Sequence, residues 1–478
     1  MFNLNNTNIY TTVIKNDYCI GCGACASVNN SPIEIKLNNY GMYQAIPKQL
    51  ADSSDVNDSL LDKLCPFSES SLNEDEIGEK LFSQDCKHSA KIGYYLNTFA
   101  GYVKEGDFRI SGSSGGIGTW ILSRLLEKNL VDYVIHIQSQ SPSENDSILF
   151  KYAISNTKEL VSAGAKTRYY PVEMSEVMKK VLEQPGRYAI VGVPCFIKAA
   201  RLLMNQDEIF NERIKFCIGL ICGHLKSTQF AEMFAWLSGF DPNTIEKIDF
   251  RKKLPQTYAS AYGVEITGKK NNQLTTETTL PVNDLFGTNW GLGFFKYKAC
   301  DYCDDITAET ADLTVGDAWL PKYVKDYQGT NVIVVRNKIL AEILQEGVNS
   351  QDLHLDIITP QDVIQSQDAN YRHRRTGLAY RLHLAQQKGE WYPHKRVKPS
   401  AFMLPWVKQR FLLRMELAQK SHLFFKEALQ AGNFSVFVEK IDPLIQSYQN
   451  TYQPPLWWRI LSRFKHLVKT IIKYDHLT

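Results

Sequence analysis

The stretch from Arg187 to Leu203, RYAIVGVPCFIKAARLL, passes from a β-branched apolar run into a helical pattern within a few residues. Cys195 falls at the start of the helix. Similar apolar runs occur in VDYVIHI (131–137) and NVIVVRN (331–337), and helical stretches occur in GTWILSRLLEKN (118–129) and SEVMKKVLEQ (175–184). Strands that alternate with helices predict an α/β fold, a mixed sheet that is at least partly parallel and flanked by helices. In such sheets the carboxyl ends of the strands face the ligand crevice.

Around this core we expect three regions. Residues 1–90 read as a small ferredoxin-like iron–sulfur module with a polar insertion, LADSSDVNDSLLDK. Residues 91–400 read as the main α/β domain. Residues 401–478 read as a helical C-terminal extension with a break at Pro454-Pro455. The chain has 478 residues, 44% hydrophobic and 22% charged, which is ordinary for a globular protein of this size. A net charge of +3 gives no case for nucleic acid. The charge is unevenly placed, because residues 401–478 carry 11 Lys and Arg against 5 Asp and Glu. The start has neither a basic n-region nor an apolar h-region, and no run reaches the length of a membrane span, so a cytoplasmic location is expected. In that compartment thiols stay reduced, and ten cysteines call for metal or cluster ligation.

The segment CIGCGAC supplies Cys19, Cys22 and Cys25 at three-residue spacing, with Gly21 and Gly23 between them. Glycine permits the tight loop that aims three thiolates at one cubane. Where a ferredoxin-type run has its fourth Cys-Pro, this chain has Asn29-Asn30. The next Cys-Pro is Cys65-Pro66, so Cys65 is the expected fourth ligand. A zinc site with the same ligands is the alternative, although zinc favours paired Cys-x-x-Cys units.

A second quartet is dispersed. Cys195 sits at a helix start, Cys222 at the end of FCIGLIC, and Cys300 and Cys303 form a Cys-x-x-Cys pair. The alternative is that these are small core side chains, the role given to Cys217 and Cys86. Asp301, Asp304 and Asp305 either lie near such a cluster and lower its potential, or are solvated.

The turn Ser111–Gly116 precedes an amphipathic helix bearing Ile117, Trp120, Ile121, Leu125 and Leu126. Its free N–H groups suit a phosphate, but a plain cap or turn is equally compatible. Lys166 and Arg168 in SAGAKTRYYPV suit a nucleotide phosphate or a solvated loop. His88, His136 and His224 are read as structural, and no general acid stands out.

Taken in order, CIGCGAC with a distant CPF, SGSSGGIGTWIL, GAKTRYYPV, VGVPCFIKAARLL, LICGHLKS and ACDYCDDITAETADLTVGDAW span roughly residues 15–337. In these pieces the chain resembles the family of coenzyme F-420 hydrogenase and dehydrogenase beta subunits, which is similar to 7-hydroxymethyl chlorophyll a reductase. The resemblance implies an FAD- and 4Fe-4S-dependent oxidoreductase. It implies an inner cluster on Cys195, Cys222, Cys300 and Cys303, an outer one on Cys19, Cys22, Cys25 and Cys65, and flavin contacts at Ser113, Ser114, Gly115 and Gly116. Electrons would pass from a one-electron donor such as ferredoxin through the two clusters to FAD and on to an organic substrate. LICGHLKS departs from the family's commoner Cys-His-Gly order, which puts the role of His224 in doubt. Family members can accompany exopolysaccharide genes, which points to polysaccharide biosynthesis. An electron-transfer subunit serving a partner enzyme is one alternative, and a zinc-bearing interaction protein is another. Homo-oligomerisation is left open.

In the C-terminal stretch LWWRILSRFKHLVKTIIKY, Leu456, Ile460, Phe464, Leu467, Val468, Ile471 and Ile472 share a stripe. Arg459, Arg463, Lys465, Lys469 and Lys473 fall mostly off it. Residues 456–473 therefore read either as a helix packed on its own protein or as a peripheral contact with the inner face of the membrane.

Overall fold

The computed structural model describes residues 8–48, 58–143, 147–271, 273–453 and Trp458. Eight strands form the main sheet. In chain order they are β1 (Asn97–Val103), β2 (Tyr133–Ser139), β3 (Phe150–Ser155), β4 (Tyr188–Gly192), β5 (Ile214–Leu220), β6 (Leu313–Asp317), β7 (Asn331–Val335) and β8 (Leu353–Ile357). They lie in the order β8-β1-β7-β6-β5-β4-β2-β3. The central four, β6, β5, β4 and β2, are parallel. β3 closes one edge antiparallel, and β7, β1 and β8 alternate in direction at the other.

Strand pleating explains why the central runs are apolar throughout. Val134, Ala189, Phe216 and Ile218 point to one face; their neighbours Ile135, Ile190 and Cys217 point to the other. The first face is covered by helix α1 (Ile117–Glu127), whose Trp120, Ile121 and Leu125 are fully buried. The second is covered by helix α2 (Pro194–Gln206), through Phe196, Ile197, Ala200 and Leu203. Pro194 opens α2, where its missing N–H costs nothing. Each large apolar side chain buried in these layers contributes about 1.5–3 kcal/mol.

The N-terminal residues do not stand apart from this core. Tyr18, Ile20, Leu61, Leu64 and Phe67 belong to the same apolar cluster as the inner face of α2. A hairpin, Ile33–Leu37 with Tyr43–Pro47, follows the cysteine loop. A three-stranded antiparallel meander, Ile245–Lys252, Gly263–Lys270 and Gln273–Thr278, stands beside the main sheet and was not anticipated from sequence.

Beyond the sheet, helices α3 (Pro405–Ala431) and α4 (Phe434–Asn450) form a hairpin. The turn is at Gly432, in the left-handed region at φ +60°, and Asn433 caps α4 by accepting the Ser435 N–H. The hairpin docks on the body through Phe295, whose ring centroid is 5.0 Å from Phe425 and 5.8 Å from Phe437. Among the described residues no helix is long and apolar enough to cross a membrane. The amphipathic stretch 456–473 lies outside the described residues except for Trp458, whose ring is 5.2 Å from that of Trp406.

Candidate functional site

Gly21 and Gly23, at φ +64° and +88°, fold the first cysteine loop back on itself. A side chain at Gly21 would meet the Tyr43 carbonyl at 2.3 Å, so the loop is pressed against the hairpin. Cys22, Cys25 and Cys65 are each close enough to the other thiols of the set, Cys19 included, to interact electrostatically. Cys65 follows directly on the helix Asp58–Leu64, which carries it back across the 40 residues that separate it from Cys25. The Gly21 and Ala45 N–H groups donate to Cys19 Sγ at 3.4 and 3.3 Å. Burial pushes the Cys65 thiol up to about 12.

The second set gathers around one void. Cys195, Cys222, Cys300 and Cys303 line one small void of about 10 Å³, together with Ile20, Phe67, Pro194, Leu225 and Arg374. Cys195 comes from the first turn of α2, Cys222 from just past the end of β5, Cys300 from the 3-10 turn Lys298–Tyr302 and Cys303 from the extended residue that ends it. The Leu225 N–H donates to Cys300 Sγ at 3.2 Å. Burial raises the Cys300 thiol to about 12. Ile20 and Phe67 belong to the neighbourhood of the first set, so the two sets are adjacent, and Cys22 lies close enough to Cys195 to raise its pKa.

Arg374 is a residue that sequence reasoning missed. It is 3% exposed and donates to Cys303 Sγ at 3.2 Å and to Cys222 Sγ at 3.7 Å. It also donates to the carbonyls of Asp305 and Gly223, both at 2.5 Å. In the sequence it sits in RHRRTG, a basic run that looks like a solvated surface and carries no spacing signal.

A cavity of about 1500 Å³ adjoins this void, and Cys222 and Leu225 belong to the walls of both. At the α1 end it is lined by Ser113, Ser114, Gly116, Lys166 and Arg168. Gly116 caps α1 at φ +85°. Gly115 has a different place: it packs against the backbone, where a side chain would meet the Gly101 carbonyl at 2.6 Å. Ser113 Oγ accepts the Thr167 N–H at 2.8 Å, which ties the serine–glycine turn to the Lys166–Arg168 loop. Arg168 Nε is buried without a partner, and burial lowers its guanidinium to about 10. Lys166 instead pairs with Asp249 at 2.9 Å, and the Ile117 N–H is already taken by Asn331 Oδ1 at 3.1 Å. The meander's first strand and the residue after it bring up two cations unseen in the sequence, of which Arg251 lines the cavity. Arg251 is held by Asp317 at 3.0 Å, and Lys253 donates to the Ser114 carbonyl at 3.0 Å.

The remaining candidates fall into place around these sites. Asp301, Asp304 and Asp305 are buried rather than solvated. Asp301 pairs with Lys296 at 2.6 Å and Asp304 with Arg396 at 3.3 Å, while Asp305 accepts the Glu309 N–H at 3.0 Å. His136 bonds Ser155 Oγ at 2.8 Å, and burial lowers it to about 4. His88 packs against Tyr94 with the ring centroids 4.8 Å apart and the planes tilted by 58°. His224 is buried on the cavity wall, 4.5 Å from the Trp290 ring, with Nε2 unpartnered. Cys217 lies inside β5, and Cys86 donates to the Arg336 carbonyl at 3.3 Å.

Two family profiles match the chain, both described as the beta subunit of coenzyme F420 hydrogenase/dehydrogenase. The profile of its N-terminal part matches residues 98–179, and that of its C-terminal part matches residues 186–361. Together they span more than half of the chain. They include the serine–glycine turn and the second cysteine set, but neither the first set nor the α3–α4 hairpin. A curated relative, a subunit of the F(420)H(2) dehydrogenase of Methanosarcina mazei, is 23% identical over 346 residues, covering 68% of this chain and 81% of that protein. A solved structure of the F420-reducing NiFe hydrogenase complex from Methanosarcina barkeri, derivatised with xenon, gives a TM-score of 0.47 at 14% identity. It covers 64% of this chain and 98% of that one.

Proposed function

The chain belongs to the family of coenzyme F420 hydrogenase/dehydrogenase beta subunits, and from that premise we propose that it is an electron-relay subunit that works with a partner redox enzyme. Cys19, Cys22, Cys25 and Cys65 would hold one 4Fe-4S cluster, Cys195, Cys222, Cys300 and Cys303 a second, and the cavity an FAD. The observation that carries this reading is the shared walls. Ile20 and Phe67 join the first cysteine set to the second, and Cys222 and Leu225 join the second to the cavity. Three sites in contiguous order are what a relay needs. The curated relative is by name one subunit of a dehydrogenase, which supports a partner enzyme.

The residues fit the groups assigned to them. Eight thiols buried in two sets are costly to ionise in a protein interior, and coordination to iron removes that cost. The cavity exceeds the roughly 300–1,000 Å³ of ordinary ligand sites, so it has room for a dinucleotide. Bound there, the clusters would supply one-electron transfer and the flavin its exchange with two-electron chemistry.

The protein's own contribution is to hold and tune. N–H donors on Cys19 and Cys300, and the Arg374 guanidinium on Cys222 and Cys303, withdraw charge from sulfur. Arg168 places positive charge on the cavity wall where a pyrophosphate would lie, and His136, held neutral, adds none. Burial by Ile20, Phe67 and Leu225 keeps water from the space between the sites.

The test is anaerobic mixing with reduced ferredoxin, following the loss of visible absorption. Wild type should bleach rapidly. Cys19→Ser, which removes the first set's ligand, should bleach much more slowly while retaining the second set's iron. Equal rates would refute a relay that begins at the N-terminal loop.

A further inference from the structure

The end of the cavity furthest from the family match has its own chemistry. Its wall is built by α3 and α4, through Val407, Arg410, Arg414 and Ile445, and by Tyr452 just past α4, all beyond residue 361. Arg414 is 6% exposed. Its Nη2 donates to the Trp290 carbonyl at 3.1 Å, but Nε and Nη1 are buried with no protein partner. Gly293, at φ +70°, lets the loop pass over it; a side chain there would stand 3.3 Å from Arg414 Nε.

Facing it on the same cavity are His224, whose Nε2 is likewise buried and unpartnered, and Lys226. Lys226 is 4% exposed and donates to the Phe294 carbonyl at 2.6 Å, with its ammonium 4.8 Å from the Trp290 ring. Among the described residues no carboxylate forms an ion pair with Arg414, Lys226 or His224. Asp301, the acid nearest Arg414, is taken by Lys296 and Arg381. The acid on this part of the wall is Asp442, which is half-buried and bonded to Gln446. Burial, Arg414 and Lys296 together hold Lys226 well below the ordinary lysine range.

A buried guanidinium with two idle donors is destabilising unless something accepts from them. Its planar fork matches a carboxylate or a phosphate, and an ammonium and an imidazole beside it complete an anion's shell. We infer that this end of the cavity is an oxyanion subsite, in which Arg414, Lys226 and His224 take the phosphate or carboxylate group of a small ligand. The inference rests on the cavity being a ligand site, and holds whichever cofactor fills the Ser113 end.

Full-length protein is titrated calorimetrically with inorganic pyrophosphate in one arm and succinate in the other, at matched ionic strength. At least one should bind saturably, and the arm that binds names the source. Arg414→Met and Lys226→Met should each weaken binding about tenfold or more, since each removes charged hydrogen bonds. Flavin per chain should stay unchanged. Without anion, Arg414→Met should melt no lower than wild type, because the group removed is largely unpaired. If Arg414→Met does not fold, Lys226→Met decides. No binding of either anion to wild type, or wild-type affinity in the variants that fold, overturns the inference. So does loss of flavin with anion binding intact, which would assign these cations to the cofactor and leave the relay itself untouched.

Discussion

Replacing Arg374 by Met removes a positive charge from the sulfurs of the second cysteine set without opening the site to water. The guanidinium nitrogens lie 3.2 Å from Cys303 Sγ and 3.7 Å from Cys222 Sγ. A unit charge at about 4 Å and an effective dielectric of about 20 is worth about 4 kcal/mol. An electron added to a cubane spreads beyond any one sulfur, so about half of that is the working figure. For a one-electron couple, about 2 kcal/mol corresponds to roughly 90 mV. The sign is fixed: without the cation, reduction is harder and the potential falls. The assay is an electron-paramagnetic-resonance redox titration of anaerobically prepared protein, which resolves the two clusters. One potential should drop by tens of millivolts and the other should hardly move. Arg374→Lys, which keeps the charge, should fall between. An unchanged or higher potential in Arg374→Met would refute the reasoning. The variant should also unfold at lower denaturant, because the Asp305 and Gly223 carbonyls lose their partner at about 1–3 kcal/mol each.

Gly116→Ala should cost about 1–3 kcal/mol in urea unfolding and reduce flavin retention, because Gly116 sits at φ +85° with the Phe108 carbonyl 2.6 Å from any added Cβ. Gly106→Ala, at φ +49° with open space around it, should lose only about 1 kcal/mol. His136 is held at about 4 when folded, against about 6.5 unfolded. Between those values the unfolded chain binds the extra proton, so stability should fall as pH drops from about 6.5 to 4. His136→Gln should flatten that part of the stability–pH curve; an unchanged slope would contradict the assignment.

The middle of the sheet was legible because the parallel strands β2, β4 and β5 and the antiparallel β7 are apolar on both faces, which leaves continuous apolar runs in the sequence. The meander at 245–278 was not, since its first two strands interleave their buried apolar residues with charged ones and its third, Gln273–Thr278, is exposed and reads as polar loop. The convergence of Cys65 on the CIGCGAC loop could be read from a Cys-Pro that had no other use. Arg374 and Arg251 could not, because a cation buried by tertiary contacts looks in sequence like one on the surface. Asp301 and Asp304 illustrate the same blindness: their partners, Lys296, Arg381 and Arg396, are up to 92 residues away. SGSSGG could be read as a turn with free N–H groups ahead of a helix, but the separate places of its glycines could not. Gly116 is needed for its turn, while Gly115 is needed where two backbones touch.

The central claim is that eight of the ten cysteines hold two iron–sulfur cubanes in line with a flavin. Iron, acid-labile sulfide and flavin should be quantified on one anaerobic preparation of the full chain. The account predicts about eight irons and eight sulfides per chain, with one FAD, and loss of about half the iron in Cys65→Ser. A colourless protein, a preparation carrying zinc in place of iron, or full iron retention in Cys65→Ser would contradict it.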